Sequence, residues 1–147
     1  MKEYKQLGAY AIIINDDNIL LINKVSGPYD GKLDLPGGTI EFGETPDDAL
    51  IGELLEEVGI EITNYNLFDT NSITFDWNYK DDTIIKVHHT GIFYKVHKYN
   101  NEIKTKLEID DQNDDSLGAN WYNIKNLDKN KLSKIAILEL EKLNYLT

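Results

Sequence analysis

The sequence predicts a mixed α/β fold in which helices cover both faces of a sheet. Three observations predict it: β-rich stretches at residues 7–25 and 67–99, a strongly signalled helix between them, and an amphipathic segment closing the chain at 133–145. A β-rich, helix, β-rich, helix order fits a mixed sheet sandwiched by helices. At 147 residues the chain fits one domain, 1–147, better than two, and its 41% apolar share is enough to bury a core.

Residues 7–15 and 19–25 are apolar and rich in β-branched side chains, with Asn15-Asp16-Asp17-Asn18 as turn chemistry between them. The pair reads as a hairpin. Residues 26–31, with Gly27, Pro28 and Gly31, form a loop. Residues 33–35 form a short strand stopped by Pro36-Gly37-Gly38, and 39–42 alternate apolar and polar like another short strand. Thr45 is then a candidate N-cap, Pro46 suits the first helical position, and Asp47 and Asp48 favour the positive end of the helix dipole. Ala49, Leu50, Leu54 and Val58 share one helical face, and Gly59 is placed for a left-handed cap. Residues 67–77 and 83–99 are β-rich around a polar turn at 78–82, which predicts an antiparallel pair. A short strand at 103–107, an acidic loop at 110–115, a strand at 120–124 and a helical turn at 126–131 precede the terminal helix.

Fifteen basic residues face 26 acidic ones, a formal charge of -11. Such a surface repels nucleic-acid backbones and anionic lipid, so neither is an expected partner. A small anion still binds where a metal ion or a few placed cations help it. The chain has no cysteine, which excludes disulfides, thiolate metal sites and a thiol nucleophile. Residues 1–10 lack a signal-peptide core, and no run approaches the length of a membrane-spanning helix. The expectation is a cytoplasmic protein, monomer or homodimer.

Glu53, Glu56 and Glu57 stand at i, i+3 and i+4, so their side chains meet on one face of the helix. Such a trio is either a solvated face or a set of hard oxygen ligands for Mg²⁺, Mn²⁺ or Ca²⁺. Mg²⁺ takes one or two carboxylates and fills its shell with water and substrate phosphate, which points to phosphate chemistry. The wider frame favours the second alternative. Gly38, Glu44, Glu53, Glu56, Glu57 and Gly59 at these spacings arise by chance about once in 10⁵ chains of this length.

With these residues the chain resembles the Nudix (MutT-like) hydrolases, whose signature is G-x5-E-x7-R-E-U-x-E-E-x-G-U with U apolar. Eight of the nine defining positions match across the 23 residues from Gly38 to Ile60, Leu54 and Ile60 filling the apolar ones. Leu35-Pro36-Gly37 and Gly43-Glu44-Thr45-Pro46 also look like family members. The resemblance implies an α/β/α sandwich around a central mixed sheet, with a loop–helix–loop catalytic motif. It also implies Mg²⁺-dependent hydrolysis (Mn²⁺ substituting) of a small nucleoside diphosphate linked to another group: ADP-ribose, a nucleotide sugar, a dinucleoside polyphosphate or a (d)NTP. By position, Glu56 and Glu57 are the main metal ligands. Glu53 binds metal or activates the attacking water, Glu44 orients the loop or binds through water, and the Gly38 carbonyl faces the metal. Asp115, ahead of Trp121, is the candidate for an extra ligand. Lys24 is the candidate cation near substrate phosphates, and Tyr29 for stacking on a base. His88 and His89 are neighbours on a strand, point to opposite sides and cannot chelate one ion together.

One position departs from the pattern. Gly52 replaces the signature arginine, which in relatives orients the neighbouring glutamate and balances the acidic cluster. Either Lys24 or Lys32 supplies the missing charge, or the site is weakened; the alternative function is a nucleotide sensor that kept the fold.

Overall fold

The computed structural model describes residues 2–103 and 116–146. The predicted strand at 103–107, the loop at 110–115 and the candidate ligand Asp115 lie, from residue 104 on, outside the described residues.

Eight strands and two α-helices are described: β1 (Lys2–Ile12), β2 (Ile14–Asn15), β3 (Asn18–Lys24), β4 (Leu33–Asp34), β5 (Gly37–Thr39), α1 (Pro46–Glu57), β6 (Glu61–Lys80), β7 (Thr83–Asn100), β8 (Ser116–Asn123) and α2 (Lys134–Lys142). One sheet has the order β5-β1-β7-β6. It is mixed, because β1 runs parallel to β7 while β1–β5 and β6–β7 are antiparallel. In the second sheet β3 pairs antiparallel with β2, β4 and β8. The sheets meet where the chain passes from β1 to β2: Ile13 O accepts from Leu20 N at 3.0 Å, and Pro36 O accepts from Ala11 N at 2.8 Å.

Side-chain alternation along β1 and β3 makes the layers. Ala9, Ala11, Ile13, Leu20 and Ile22 pack with Ala49, Leu50, Leu54 and Val58 of α1. Their neighbours Tyr10, Ile12, Ile19 and Leu21 pack with Ile135, Ala136 and Leu140 of α2. A strand buried on both faces reads as a continuous apolar run, and these segments do. The predicted arrangement, helices on both faces of a mixed sheet, is the one found. Among the described residues no helix is long and apolar enough to cross a membrane.

Several boundaries differ from expectation. The hairpin turn after the first segment is only Asp16-Asp17, and the residues before it belong to two strands in different sheets. The strand expected at 39–42 is instead β5, Gly37–Thr39. The glycines do not merely end a strand: they form one, because they lack side chains. A Cβ on Gly37, whose φ is +141°, would stand 2.1 Å from the Ala9 carbonyl oxygen. Phe42 lies fully exposed beyond it. The β6–β7 hairpin is longer than predicted, and its turn is Asp81-Asp82, both at positive φ. β8 begins earlier than residue 120. Two single 3₁₀ turns, Ile124–Asn126 and Lys129–Lys131, occupy the expected helical turn at 126–131.

Candidate active site

The predicted helix signals operate in α1. Thr45 Oγ1 accepts from Asp48 N at 3.1 Å, and Asp48 Oδ2 accepts from Thr45 N at 3.4 Å, a reciprocal capping box. Gly59, at φ +80°, ends the helix with its N–H on Leu54 O at 2.9 Å. Leu50, Leu54 and Val58 are fully buried, which fixes the rotation of the helix and so the direction of its acidic face.

That face lies against β5. Glu57 is buried, and its Oε1 accepts from Gly37 N at 3.0 Å. Glu53 lies over Gly38: a Cβ there would stand 2.5 Å from the Glu53 carboxyl carbon, so only glycine lets the carboxylate reach the strand. Glu56 is exposed on the same side. All three glutamates, with Gly37 and Gly38, line one cavity of about 440 Å³. Glu44 is exposed; its Oε1 accepts from Glu41 N at 2.8 Å and its N–H donates to Glu41 O at 3.0 Å, closing the loop before the helix.

The opposite wall comes from β1 and the segment after β3. Lys24 and Tyr29, both singled out from the sequence, line the cavity with Tyr4, Gln6 and Tyr10. Tyr29 is buried and stacked on Phe75, with ring centroids 5.5 Å apart. Its hydroxyl hydrogen-bonds His89 Nδ1 at 2.7 Å, and the Tyr10 hydroxyl bonds Nε2 of the same ring at 2.6 Å. Burial, and secondarily Lys24, lowers the His89 pKa to about 4, so the imidazole is neutral near pH 7. Burial pushes the Tyr10 and Tyr29 hydroxyls well above the ordinary range, and Asp34 adds to the effect. Asp34 is itself buried, its Oδ1 accepting from Leu35 N at 2.8 Å and from Ser133 Oγ at 2.7 Å, which ties the cavity wall to the start of α2.

The structure thus brings Gly38, Glu53, Glu56, Glu57, Lys24 and Tyr29 to one cavity. Glu44 is not among its lining residues and holds the loop instead. Lys32, the second candidate substitute for the missing arginine, donates to Asn130 O at 2.6 Å and is not among the lining residues either. His88 is exposed and His89 buried, on opposite sides as expected. Phe75 packs against the core on the α2 side and Trp121 against the core on the α1 side. Sequence reasoning missed Tyr10, Asp34, Gln6 and the Tyr10–His89–Tyr29 chain. One signal was available. Gly8 precedes Tyr10 by two residues, and a Cβ on Gly8 would stand 2.2 Å from the Tyr10 hydroxyl, so the strand leaves that space for the ring.

The donor set suits a hard divalent cation: carboxylates of Glu53, Glu56 and Glu57 beside backbone carbonyls of β5, with neither thiol nor exposed imidazole among them. Among the described residues no three acidic or histidine side chains stand grouped tightly enough to hold an ion as placed. That is compatible with Mg²⁺, for which one or two carboxylates suffice.

A NUDIX domain model matches residues 4–140. The chain is 32% identical over 109 residues to the 8-oxo-dGTP diphosphatase of Proteus vulgaris, covering 72% of this chain and 89% of that protein. It is 43% identical over 63 residues to the 8-oxo-dGTP diphosphatase of Escherichia coli, covering 42% of this chain and about half, 49%, of that protein. An ADP-ribose pyrophosphatase of Methanocaldococcus jannaschii matches at 45% over 49 residues, 33% of this chain and 29% of that protein. Among solved structures, a MutT NUDIX hydrolase from Burkholderia pseudomallei superposes with a TM-score of 0.72 at 24% identity, covering 95% of this chain and 98% of that one. Motif, layers and matched length agree: the chain belongs to the NUDIX domain family of MutT-like hydrolases.

Proposed function

We propose that the protein hydrolyses a diphosphate bond in a small nucleotide, a nucleoside diphosphate carrying a further group, with Mg²⁺ as cofactor and Mn²⁺ as a substitute. The observation that carries this reading is the shared cavity. Three glutamates on one turn of α1, Lys24 and the glycine strand β5 face the same space. Glu56 and Glu57, the latter steadied by its bond from Gly37 N–H, would hold the cation. When bound, the cation neutralises phosphate oxygens and makes a water more acidic. Lys24 attracts the anionic substrate into an otherwise acidic protein. Glu53, aligned by its seat on Gly38, takes the proton of the attacking water as its oxygen bonds to phosphorus and the bridging P–O bond breaks. The products are a nucleoside monophosphate and the phosphorylated second group. The relatives support both a deoxynucleoside triphosphate and ADP-ribose as substrate classes.

Gly52 favours a second reading, a nucleotide sensor with little or no turnover. The position offers open space where relatives place arginine, since a Cβ there meets no atom within 4 Å. A panel of nucleoside triphosphates (including 8-oxo-dGTP), ADP-ribose, nucleotide sugars and dinucleoside polyphosphates, assayed with Mg²⁺ and Mn²⁺ and read by product mass, separates the two. The hydrolase reading predicts release of a nucleoside monophosphate from at least one member. Folded protein that binds panel members without cleaving any supports the sensor.

A further inference from the structure

One edge of β1 is only half covered. β7 pairs with β1 along its whole length, from Lys2 beside Ile85 to Ile12 beside Lys95. β5 takes the other edge at residues 8–10 only, and one further bond, Ile40 N to Leu7 O at 2.9 Å, ends that cover. Among the described residues no strand pairs with residues 2–6 on that side. The direction of the backbone groups alternates along a strand. Leu7 O and Ala11 N both bond on the β5 side, so the N–H and C=O groups of Glu3 and Lys5 point to the open edge. Such a row of groups is a template for another strand.

The side chains of this stretch say which strand fits. Lys2-Glu3-Tyr4-Lys5-Gln6 carries opposite charges on the two sides of Tyr4. In an antiparallel pair with itself about a two-fold axis at Tyr4, Glu3 stands opposite the partner's Lys5 and Lys5 opposite the partner's Glu3. These are also the hydrogen-bonded positions of that ladder, because theirs are the groups on the open edge. Both side chains are exposed, and among the described residues neither is in a salt bridge. Charges on an edge ordinarily keep a second strand away, but here the symmetry turns them into attraction. The formal charge of -11 makes two copies repel at long range, so a contact between them needs local opposite charges. The outer edge of β6 lacks them. Register shifts interrupt its ladder between Leu67 and Asp69 and again between Asn78 and Lys80, and the charges on the regular stretch from Asp69 to Asn78, Asp69 and Asp76, have the same sign.

We infer that two copies of this chain join through residues 2–6 of β1 as a symmetric antiparallel pair, which continues the sheet β5-β1-β7-β6 into its copy. Tyr4 lies on the axis and lines the cavity that holds the glutamates, so the partner's Tyr4 borders the same mouth and the two cavities open beside one axis. The seam is short, which places the dimer among weak, reversible assemblies.

Two experiments test this. The chain has no cysteine, so a single introduced one reports contact between copies. In this ladder the two Tyr4 positions form a non-hydrogen-bonded pair with Cα atoms about 4.5 Å apart, inside the disulfide range. The two Lys5 positions are offset along the strands to about 8 Å, outside it. Tyr4→Cys is expected to oxidise to a covalent dimer at least about tenfold faster than Lys5→Cys. Sedimentation velocity from about 1 μM to 1 mM reads the equilibrium, with wild type passing from monomer to dimer. Lys5→Glu and Glu3→Lys each set like charges opposite one another twice across the axis and raise the dimer Kd by at least about tenfold. The double variant Glu3→Lys with Lys5→Glu restores opposite signs and regains dimerisation. Thermal melting of each variant at low concentration checks that it folds. A wild type that stays monomeric throughout, single reversals that leave Kd unchanged, a double variant no tighter than the single ones, or Lys5→Cys cross-linking as fast as Tyr4→Cys overturns the inference. None of these outcomes is read from turnover, so each bears on the seam alone and leaves the hydrolase reading to its own assay.

Discussion

Glu57 and its neighbours show how single side chains divide the work on one helical turn. Glu57 is buried and bonded to Gly37 N–H, so Glu57→Gln keeps an oxygen acceptor while removing the charge. The expected outcome is a fall in kcat of at least about 100-fold with a melting temperature shifted by only a few degrees. Steady-state kinetics and calorimetry check it, and unchanged kcat would remove Glu57 from the metal assignment. Gly52 allows the opposite experiment. Its open surroundings admit a long side chain, and a mid-helix glycine costs about 0.5–1 kcal/mol relative to alanine. Gly52→Arg should therefore raise stability by roughly that amount and raise kcat if the missing cation limits the rate. An unchanged kcat means that Lys24 already supplies the charge. His89 gives a pH signature. Its folded pKa of about 4 lies below the unfolded 6.5, so its contribution to stability is complete above 6.5 and is lost as pH falls from 6.5 towards 4. Denaturant titrations should show that acid limb in wild type and lose it in His89→Phe, which is also less stable at neutral pH by about 1–3 kcal/mol because two buried hydroxyls lose their partner.

At the scale of elements, α1 was legible because its signals are local. Thr45, Pro46, Asp48 and Gly59 each act on backbone groups within a few residues, and the predicted cap and termination are those observed. Thr45→Ala should cost about 1 kcal/mol in denaturant unfolding. β5 was not legible, because glycine reads as punctuation when only the sequence is in view. What demands glycine there is the approach of Ala9 and of Glu53, both distant in the chain. The second helix carries a polar contact that periodicity hides. Glu139 on α2 is fully buried, and burial, with Asp69 of β6 next in size, raises its pKa to about 7. Asp69 is lowered although burial opposes it, because Lys142 Nζ bonds its Oδ1 at 2.6 Å. A proton on Glu139 lets it donate to Asp69. Here the folded pKa exceeds the unfolded value, so this contribution is complete below about 4.5 and is lost as pH rises through 7. Glu139→Gln should flatten that limb and leave the acid limb of His89 intact.

Across the whole molecule, the alternation of β1 and β3 sends one set of side chains to α1 and the other to α2, and that layering follows from apolar patterning alone. The acidic half of the cavity was legible for the same reason as α1: a helix of known phase places Glu53, Glu56 and Glu57 together. The other half was not, because Gln6, Tyr10, Tyr29 and His89 come from segments up to 83 residues apart, brought together by the parallel β1–β7 register. The central claim is that the turn bearing the three glutamates holds a divalent cation beside β5. A crystal soaked in Mn²⁺ and measured at the manganese absorption edge tests it most directly. The account predicts an anomalous peak within coordination distance of at least one of Glu53, Glu56 and Glu57, absent in Glu57→Gln crystals or markedly weaker there. No peak at that turn in well-diffracting wild-type crystals, or one bound elsewhere on the acidic surface alone, would contradict it.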